Sequence, residues 1–440
     1  MRSQWSGRLT FILAASGSAI GLGNIWKFPY ITGENGGGAF VLVYLLTILI
    51  VGLPIFVAEI YIGQQSQSNA ITAFAKVLGR KTRFQSVGFM GILSAFLILS
   101  FYSVVGGWIL SFLFRTISGD FAGLSTDEIS GQLGKLLADP GSLIFWHSLF
   151  MVITALIVIG GIKSGIERGA KILMPVFFIL LTGLLLFSAS LEGFSPALRF
   201  LFEPDFSKLS PQAILEAVGH SFFTLSLGMG AMITYGSFLS KDEKVFRTAL
   251  AITVLDTLVA IMAGLVMFSV TFTYGQEPSS GPALMFSTMP TLFLQLPGGS
   301  LLLSGFFTLV GFAAITSAIS LLEVVVAYFS EEKNMSHKKA TLVFAAIIWA
   351  VGVLCALSFN VFSGTVDFFD LFDKTTTHIL MPLGGLLTAV FFGWKLPKAQ
   401  VEDIFGSNKA IASTIIIASR WVAPTAVGIV MFFGLKDWFL

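Results

Sequence analysis

Two glycine-rich interruptions of apolar segments constrain this chain more than any other feature of its sequence. The first is GSAIGLGN at residues 17–24, and the second is TLSLGMG at residues 224–230. A break in a membrane helix frees backbone N–H and C=O groups that lipid cannot satisfy, so the break has to line a cavity inside the protein. Because the two breaks occupy corresponding places in two halves of the chain, they predict a binding site for a polar solute near mid-membrane.

The composition is that of an integral membrane protein. Hydrophobic residues make up 55% of the 440 residues, charged residues make up 11%, and the mean hydropathy is +0.87. Soluble domains are about one quarter charged. We therefore predict an all-α protein whose surroundings are a lipid bilayer, with no nucleic-acid partner. The single cysteine, Cys355, excludes an intramolecular disulfide, and the four histidines show no metal-ligand spacing.

Apolar segments long enough to cross a bilayer recur eleven times along the chain. A helix needs about 20 apolar residues to span the membrane. We predict spans at 8–34, 38–64, 86–116, 144–162, 166–190, 212–239, 244–274, 302–330, 339–358, 364–394 and 413–435.

The loops after the even-numbered spans are rich in lysine and arginine, whereas the long loops on the opposite side are acidic. Positive charge accumulates on the cytoplasmic side. The N-terminus is therefore predicted to be cytoplasmic and the C-terminus to lie outside.

The spans divide into two sets of five, and the breaks fall in the first and the sixth. Because five is odd, the second set enters the membrane from the opposite side, which predicts an inverted repeat with both breaks near the midplane. We expect one transmembrane domain over residues 1–440, with repeats at about 8–190 and 212–394 and an extra helix at about 413–435.

Several motifs resemble the neurotransmitter:sodium symporter family, and in particular its bacterial amino-acid transporter branch. They are GLGNIWKFPY at 21–30, ENGGGAF at 34–40, SFFTLSLG at 221–228 and AAITS at 313–317. The resemblance implies the five-plus-five fold, with helices 1 and 6 broken at mid-membrane. It also implies a location in the plasma (inner) membrane of a prokaryote.

The resemblance implies a site for a zwitterionic amino acid between the breaks. The backbone N–H groups of Leu22 and Gly23, with the Tyr102 hydroxyl, would bind the carboxylate, helped by the positive end of the helix dipole. Carbonyls around Ala19 and Phe223 would accept hydrogen bonds from the ammonium. The remaining substrate-binding residues are Ile98, Thr224, Ser226, Met229, Ser317, Ala318 and Leu321. This lining carries no charge, so we expect a neutral hydrophobic or aromatic amino acid.

Two sodium ions are implied, both bound by oxygen ligands, as suits a hard cation. The first would use Ala19, Asn24, Thr224 and Asp256, with the substrate carboxylate as a further ligand. The second would use the carbonyls of Gly17, Ile20 and Ala313 with the hydroxyls of Thr316 and Ser317. A Thr-Ser pair in a membrane helix otherwise bonds to carbonyls of its own helix.

Asp256 departs from the neutral amide that many members carry. A carboxylate inside a span is costly and functional by default. Asp256 would supply the negative charge that chloride supplies elsewhere, and Ala260 and His220 depart from the anion-site pattern. We therefore expect chloride-independent transport. Glu59, the other buried acid, is implied to accept hydrogen bonds from the unwound backbone of span six.

Two gates are implied. Lys27 and Asp373 form the outer pair, with Phe223 as a lid over the substrate. Arg2 and Glu331 form the inner pair with Trp5 as a plug, although a residue such as Glu331 near a helix end is equally often only solvated.

The sequence thus predicts a sodium-coupled symporter that imports its cargo by alternating access. An amino-acid-sensing membrane receptor on the same scaffold is the alternative. We predict no enzymatic activity, because no catalytic constellation is recognisable. The sequence makes no prediction of the oligomeric state.

Overall fold

The computed structural model describes residues 4–277, 281–406 and 408–439, with the side chains of 281–282 and 437–439 left out. Within these ranges the chain is helical and contains no β-strand. The principal helices are α1 (Arg8–Ala19), α2 (Gly23–Glu34), α3 (Gly38–Ser66), α4 (Ala70–Leu78), α5 (Gln85–Ser118), α6 (Pro140–Ile159), α7 (Ile162–Ser188), α8 (Phe194–Phe202), α9 (Pro211–Thr224), α10 (Ala231–Gly236), α11 (Val245–Thr273), α12 (Gly299–Glu332), α13 (His337–Leu357), α14 (Phe368–Lys395) and α15 (Lys409–Lys436).

Other short helical segments lie between these principal helices. They are Thr126–Ser130, Gln132–Ala138, Phe206–Lys208, Gly281–Leu284, Thr288–Phe293 and Lys398–Asp403.

Nine of the described helices are long and apolar enough to cross a membrane, and the bent pair α1–α2 makes a tenth candidate. Ten of the eleven predicted spans thus have a counterpart. The exception is the predicted span 212–239, which the structure divides into α9 and α10 with six residues between them. Neither piece is long enough alone to cross a bilayer.

The helices begin where the sequence supplies capping groups. At α6 the Asp139 carboxylate accepts a hydrogen bond from Gly141 N and Pro140 occupies the first helical position. At α9, Ser210 and Pro211 play the same roles, with Ser210 Oγ accepting from Ala213 N. Both arrangements satisfy or remove N–H groups that would otherwise lack partners at a helix start.

The core lies along α12, which packs against α5 and α1. In the most apolar stretch of α12, 94% of the residues are buried, against 28% in α7. Helix α12 is therefore surrounded by protein, whereas α7 presents most of its surface outward. In a membrane protein, helix surfaces that face lipid and helix surfaces that face other helices are both apolar. Hydrophobicity alone therefore does not distinguish the buried α12 from the peripheral α7.

The two glycine-rich breaks meet beside α12. Helix α1 ends at Ala19, Ile20 adopts an extended conformation, and α2 starts at Gly23 at an angle of 53° to α1. The second break covers residues 225–230, where Ser226, Gly228 and Gly230 have positive φ angles of 53°, 75° and 72°. Glycine adopts such angles without steric cost.

Candidate functional site

A narrow cavity lies between the two breaks, and its wall is built mainly from residues predicted by the sequence. Of the twelve predicted substrate-binding residues, ten line it: Ala19, Leu22, Gly23, Ile98, Tyr102, Phe223, Ser226, Met229, Ser317 and Leu321. Its free space is about 30 Å³, which holds a water molecule rather than an amino acid. Binding an amino acid in this cavity therefore requires wall side chains to move, and Met229, which is unbranched and flexible, can do so.

Two predicted substrate residues lie behind this wall. Ala318 is fully buried in α12. Thr224, the last residue of α9, is also fully buried, and its hydroxyl donates to Asp256 Oδ2 at 3.0 Å. Thr224 therefore belongs to the polar cluster next to the cavity rather than to the cavity wall.

The first break presents backbone N–H groups to the cavity. Leu22 N–H points to the Tyr102 hydroxyl at 3.4 Å, which is a long contact. Tyr102 is buried in the middle of α5. The structure thus brings the predicted carboxylate-binding groups Leu22 and Tyr102 together at one end of the cavity, with Gly23 beside them against the Phe223 ring.

Asn24, Thr224 and Asp256 form a closed, fully buried cluster. Asn24 Nδ2 donates to Thr224 Oγ1 at 3.0 Å, to the Asp256 carbonyl at 3.0 Å and to Asp256 Oδ1 at 2.8 Å. Asn24 Oδ1 accepts from Gly21 N–H at 3.1 Å. Three oxygens from two helices therefore converge on one point, and both carboxylate oxygens of Asp256 are engaged. Ala19, the fourth predicted ligand, lines the adjoining cavity.

The five residues of the second predicted ion site also come together. Ser317 Oγ lies 3.5 Å from the Gly17 carbonyl and 3.4 Å from the Ile20 carbonyl. Thr316 Oγ1 donates to the Ala313 carbonyl at 3.1 Å. Carbonyls of the first break thus face the Ser317 hydroxyl of α12, whereas the Thr316 hydroxyl makes the internal helix bonds expected of any membrane threonine.

Glu59 holds the second break in place. Gly228 N–H donates to Glu59 Oε1 at 2.8 Å, and Glu59 is fully buried in α3. This is the contact that the resemblance implies. Gly228 has no room for a side chain, since a Cβ there would lie 2.1 Å from the Met381 carbonyl.

The two ends of the cavity differ. A second cavity shares Leu22, Tyr102 and Phe223 with the first and continues past Lys27 and Asp373. Lys27 Nζ lies over the Phe223 ring, 4.9 Å from its centroid, and the described residues include no ion pair within 4.0 Å between Lys27 and Asp373. The predicted outer pair thus lines one vestibule without closing it.

Trp5, the predicted inner plug, is buried among aromatic side chains. The Trp5 indole packs against the Phe11, Tyr235 and Phe238 rings, and its Nε1 donates to the Tyr235 carbonyl at 3.0 Å. Glu331 accepts hydrogen bonds from Asn69 N and Asn69 Nδ2 at 2.9 and 3.1 Å. The predicted partner of Glu331, Arg2, lies outside the described residues.

Three wall residues were missed by the sequence interpretation: Ser18, Gly21 and Ser320. The Ser18 carbonyl accepts hydrogen bonds from both Ser226 Oγ and Ser317 Oγ, and Ser18 Oγ donates to Ser320 Oγ at 2.7 Å. Ser18 and Gly21 lie within the first break, and Ser320 lies three residues after Ser317. Their positions in the motif and on the helix face could have identified them.

Comparison with known proteins places this site in a family context. Residues 2–128 and 126–437 match the model of the sodium:neurotransmitter symporter family. An uncharacterized sodium-dependent transporter of Bacillus subtilis, YhdH, is 40% identical over 98% of this chain and 97% of its own length. A Haemophilus influenzae protein of the same description is 36% identical over 93% of this chain and 92% of its own length.

A solved structure has the same fold. The crystal structure of MhsT in complex with L-phenylalanine aligns with a TM-score of 0.91 and 43% identity, covering 99% of this chain and all of that one. The similarity extends over nearly all of both chains, so it includes both breaks and the helices around them.

Proposed function

Because this chain belongs to the sodium:neurotransmitter symporter family and is a sodium-coupled membrane transporter, we propose that it imports a neutral hydrophobic or aromatic amino acid by alternating access. The observation that carries this proposal is the cavity between the breaks, whose lining contains no charged side chain. The complex of the similar MhsT structure with L-phenylalanine supports the same class of cargo.

We propose that the substrate carboxylate lies at the first break. The N–H groups of Leu22 and Gly23 and the Tyr102 hydroxyl would bind it, as the approach of Leu22 N–H to Tyr102 suggests. The half-helix that starts at Gly23 directs its positive dipole end toward this point. Carbonyls of the two breaks would accept hydrogen bonds from the ammonium.

We propose two sodium sites at the two oxygen clusters. At the first, Asn24 Nδ2 now lies where three oxygens converge. Rotating the Asn24 carboxamide by half a turn would bring Oδ1 to this point and release Gly21 N–H from its present acceptor. Sodium binding would then free one more backbone donor beside the carboxylate site. This couples the ion to the substrate, because each favours the arrangement that binds the other.

We propose eleven spans in a five-plus-five inverted repeat, with residues 8–190 and 212–394 as the repeats and 413–435 outside them. The bent pair α1–α2 and the interrupted pair α9–α10 support this arrangement, since both interruptions border one cavity. The N-terminus would be cytoplasmic and the membrane the inner membrane of a prokaryote. In that orientation Trp5 closes the cytoplasmic side, while the vestibule at Lys27 faces outward.

Uptake into liposomes tests the function directly. Purified protein is reconstituted, and uptake of labelled leucine and phenylalanine is measured with an inward sodium gradient and with potassium in its place. We expect uptake only with sodium. Unlabelled methionine, tyrosine and tryptophan should compete, whereas glycine, glutamate and lysine should not. Equal uptake in potassium would refute sodium coupling, and effective competition by glutamate or lysine would refute the proposed cargo.

A further inference from the structure

The last two long helices are joined by a reciprocal pair of hydrogen bonds that includes a charged residue. Arg420 Nε donates to the Gly393 carbonyl, and Trp394 Nε1 donates to the Arg420 carbonyl at 3.2 Å. A Cβ on Gly393 would lie 2.8 Å from Arg420 Cγ, so the glycine permits this close approach. The arginine is therefore held in one place rather than free to sample many positions.

The guanidinium of Arg420 lies on an aromatic surface. It stacks over the Trp394 ring, 5.6 Å from the centroid, and Trp394 meets Trp421 edge-on at 4.8 Å. Both tryptophans are exposed on the outer surface of the bundle, Trp394 by 49% and Trp421 by 60%. Tryptophans in such positions are typical of the level of the lipid headgroups.

The position of this cluster along the helices also indicates that it lies at the level of the lipid headgroups. Gly393 and Trp394 lie at the end of α14, next to Lys395, and the chain then leaves the candidate span through Pro397. By the distribution of lysine and arginine, this is the side predicted to be cytoplasmic. The hydrogen bonds to Gly393 and Trp394 place Arg420 at the level of this end of α14, although Arg420 lies within the candidate span α15.

The charge of Arg420 is not neutralised by a carboxylate. In the part of the chain that the structure describes, no acidic side chain comes within 4.0 Å of its guanidinium. Arginine has five N–H donors in a planar fork, and among the described residues only the one on Nε finds an acceptor. Lys395, next to Trp394, is exposed and adds a second positive charge. An arginine inside a membrane span requires a counter-charge or a polar partner.

We propose that Arg420, Lys395, Trp394 and Trp421 bind the headgroup of an anionic phospholipid between α14 and α15. A phosphate diester matches the free edge of the guanidinium, which can donate two parallel hydrogen bonds to it. Neither Arg420 nor Lys395 forms an ion pair within the described part of the chain, and two such positive charges favour a headgroup that lacks an ammonium, such as that of phosphatidylglycerol. The exposed indole rings contact the glycerol and the first methylenes of the acyl chains.

Native mass spectrometry of the purified full-length protein tests this site. Phosphatidylglycerol and phosphatidylethanolamine of identical acyl chains are added in turn, and the lipid-bound fractions are measured. We expect Arg420→Gln to reduce the affinity for phosphatidylglycerol about tenfold, with little change for phosphatidylethanolamine. Lys395 takes no part in the contact between Arg420 and Gly393, so Lys395→Gln should produce a smaller loss that comes from the charge and not from altered helix packing.

Arg83→Gln is the matched control, because Arg83 is exposed, precedes the span α5 on the same side and carries the same charge. Unchanged phosphatidylglycerol binding in Arg420→Gln and Lys395→Gln would overturn the proposal. An equal loss in Arg83→Gln would also overturn it, by showing a general effect of charge. Displacement of the lipid by inorganic phosphate alone would identify a free-phosphate site instead.

Discussion

The two helix breaks differ in length and in what holds them. The first is short, and it contacts the buried Asp256 through the side chain of Asn24, with both Asp256 carboxylate oxygens hydrogen-bonded. The second is six residues long and is tied to Glu59 through the backbone N–H of Gly228. One buried acid therefore faces side chains that can exchange partners, whereas the other holds a backbone turn in place.

This difference suggests that the two breaks have different roles. Groups that must rearrange around an ion are best supplied by side chains, because a carboxamide can rotate without unfolding its helix. A left-handed backbone turn cannot change without moving the elements packed on it. The following predictions test whether ion binding belongs to the first break and structural support to the second.

The largest effect is expected for Asp256→Asn. Without the carboxylate, a sodium ion in this buried cluster would lose its fixed counter-charge, so sodium affinity should fall by more than about a hundredfold and transport should stop. Sodium-dependent binding of labelled leucine to detergent-solubilised protein measures this. Wild-type uptake should be the same in chloride and in gluconate. Normal sodium affinity in the variant, or chloride-dependent wild-type uptake, would remove Asp256 from the proposed ion site.

Gly228→Ala should reduce stability strongly. The residue has a φ of 75°, and a Cβ would lie 2.1 Å from the Met381 carbonyl. Strain and overpacking together should cost about 2–4 kcal/mol, seen as a lower melting temperature in detergent. Gly183→Ala is the control, because nothing lies within 4 Å of a Cβ there. A melting temperature equal to that of the control would show that the second break tolerates rearrangement.

Tyr102→Phe should weaken substrate binding without disturbing the fold. The substitution removes one hydrogen bond to the proposed substrate carboxylate, which contributes about 1.5–3 kcal/mol. Leucine binding should therefore weaken roughly tenfold to a hundredfold, while the melting temperature of the ligand-free protein stays close to that of the wild type. Unchanged affinity would place the carboxylate elsewhere in the cavity.

The smallest effect is expected for Glu59→Gln, which makes the same chemical change as Asp256→Asn at the other break. The amide oxygen can still accept from Gly228 N–H, so this hydrogen bond is kept and loses only its charge assistance, about 1 kcal/mol. We expect a slightly lower melting temperature and near-normal sodium affinity. A loss of sodium affinity as large as that of Asp256→Asn would abolish the proposed distinction between the breaks.

Much of the site could be predicted from short motifs because its residues are local to the breaks. Leu22, Gly23 and Asn24 follow one another in the chain, as do Phe223 and Thr224. A motif that interrupts a helix necessarily exposes its own backbone, so identifying the motif also identifies the backbone groups that face the cavity. The partners on continuous helices, Tyr102 and Ser317, were assigned only by resemblance, because an uninterrupted apolar helix carries no local sign of which face meets the breaks.

The sequence by itself determined that this chain is an all-α membrane protein, where its apolar segments lie and where two helices break. These properties depend on local hydrophobicity and on glycine, whose effects act within a few residues. Only the tertiary structure decided that Thr224 lies behind the cavity wall, that the Ser18 carbonyl joins both breaks, and that Arg420 stacks on Trp394. Each of these depends on which helix faces meet across distances of many residues in sequence, and apolar segments of similar composition do not encode that choice locally.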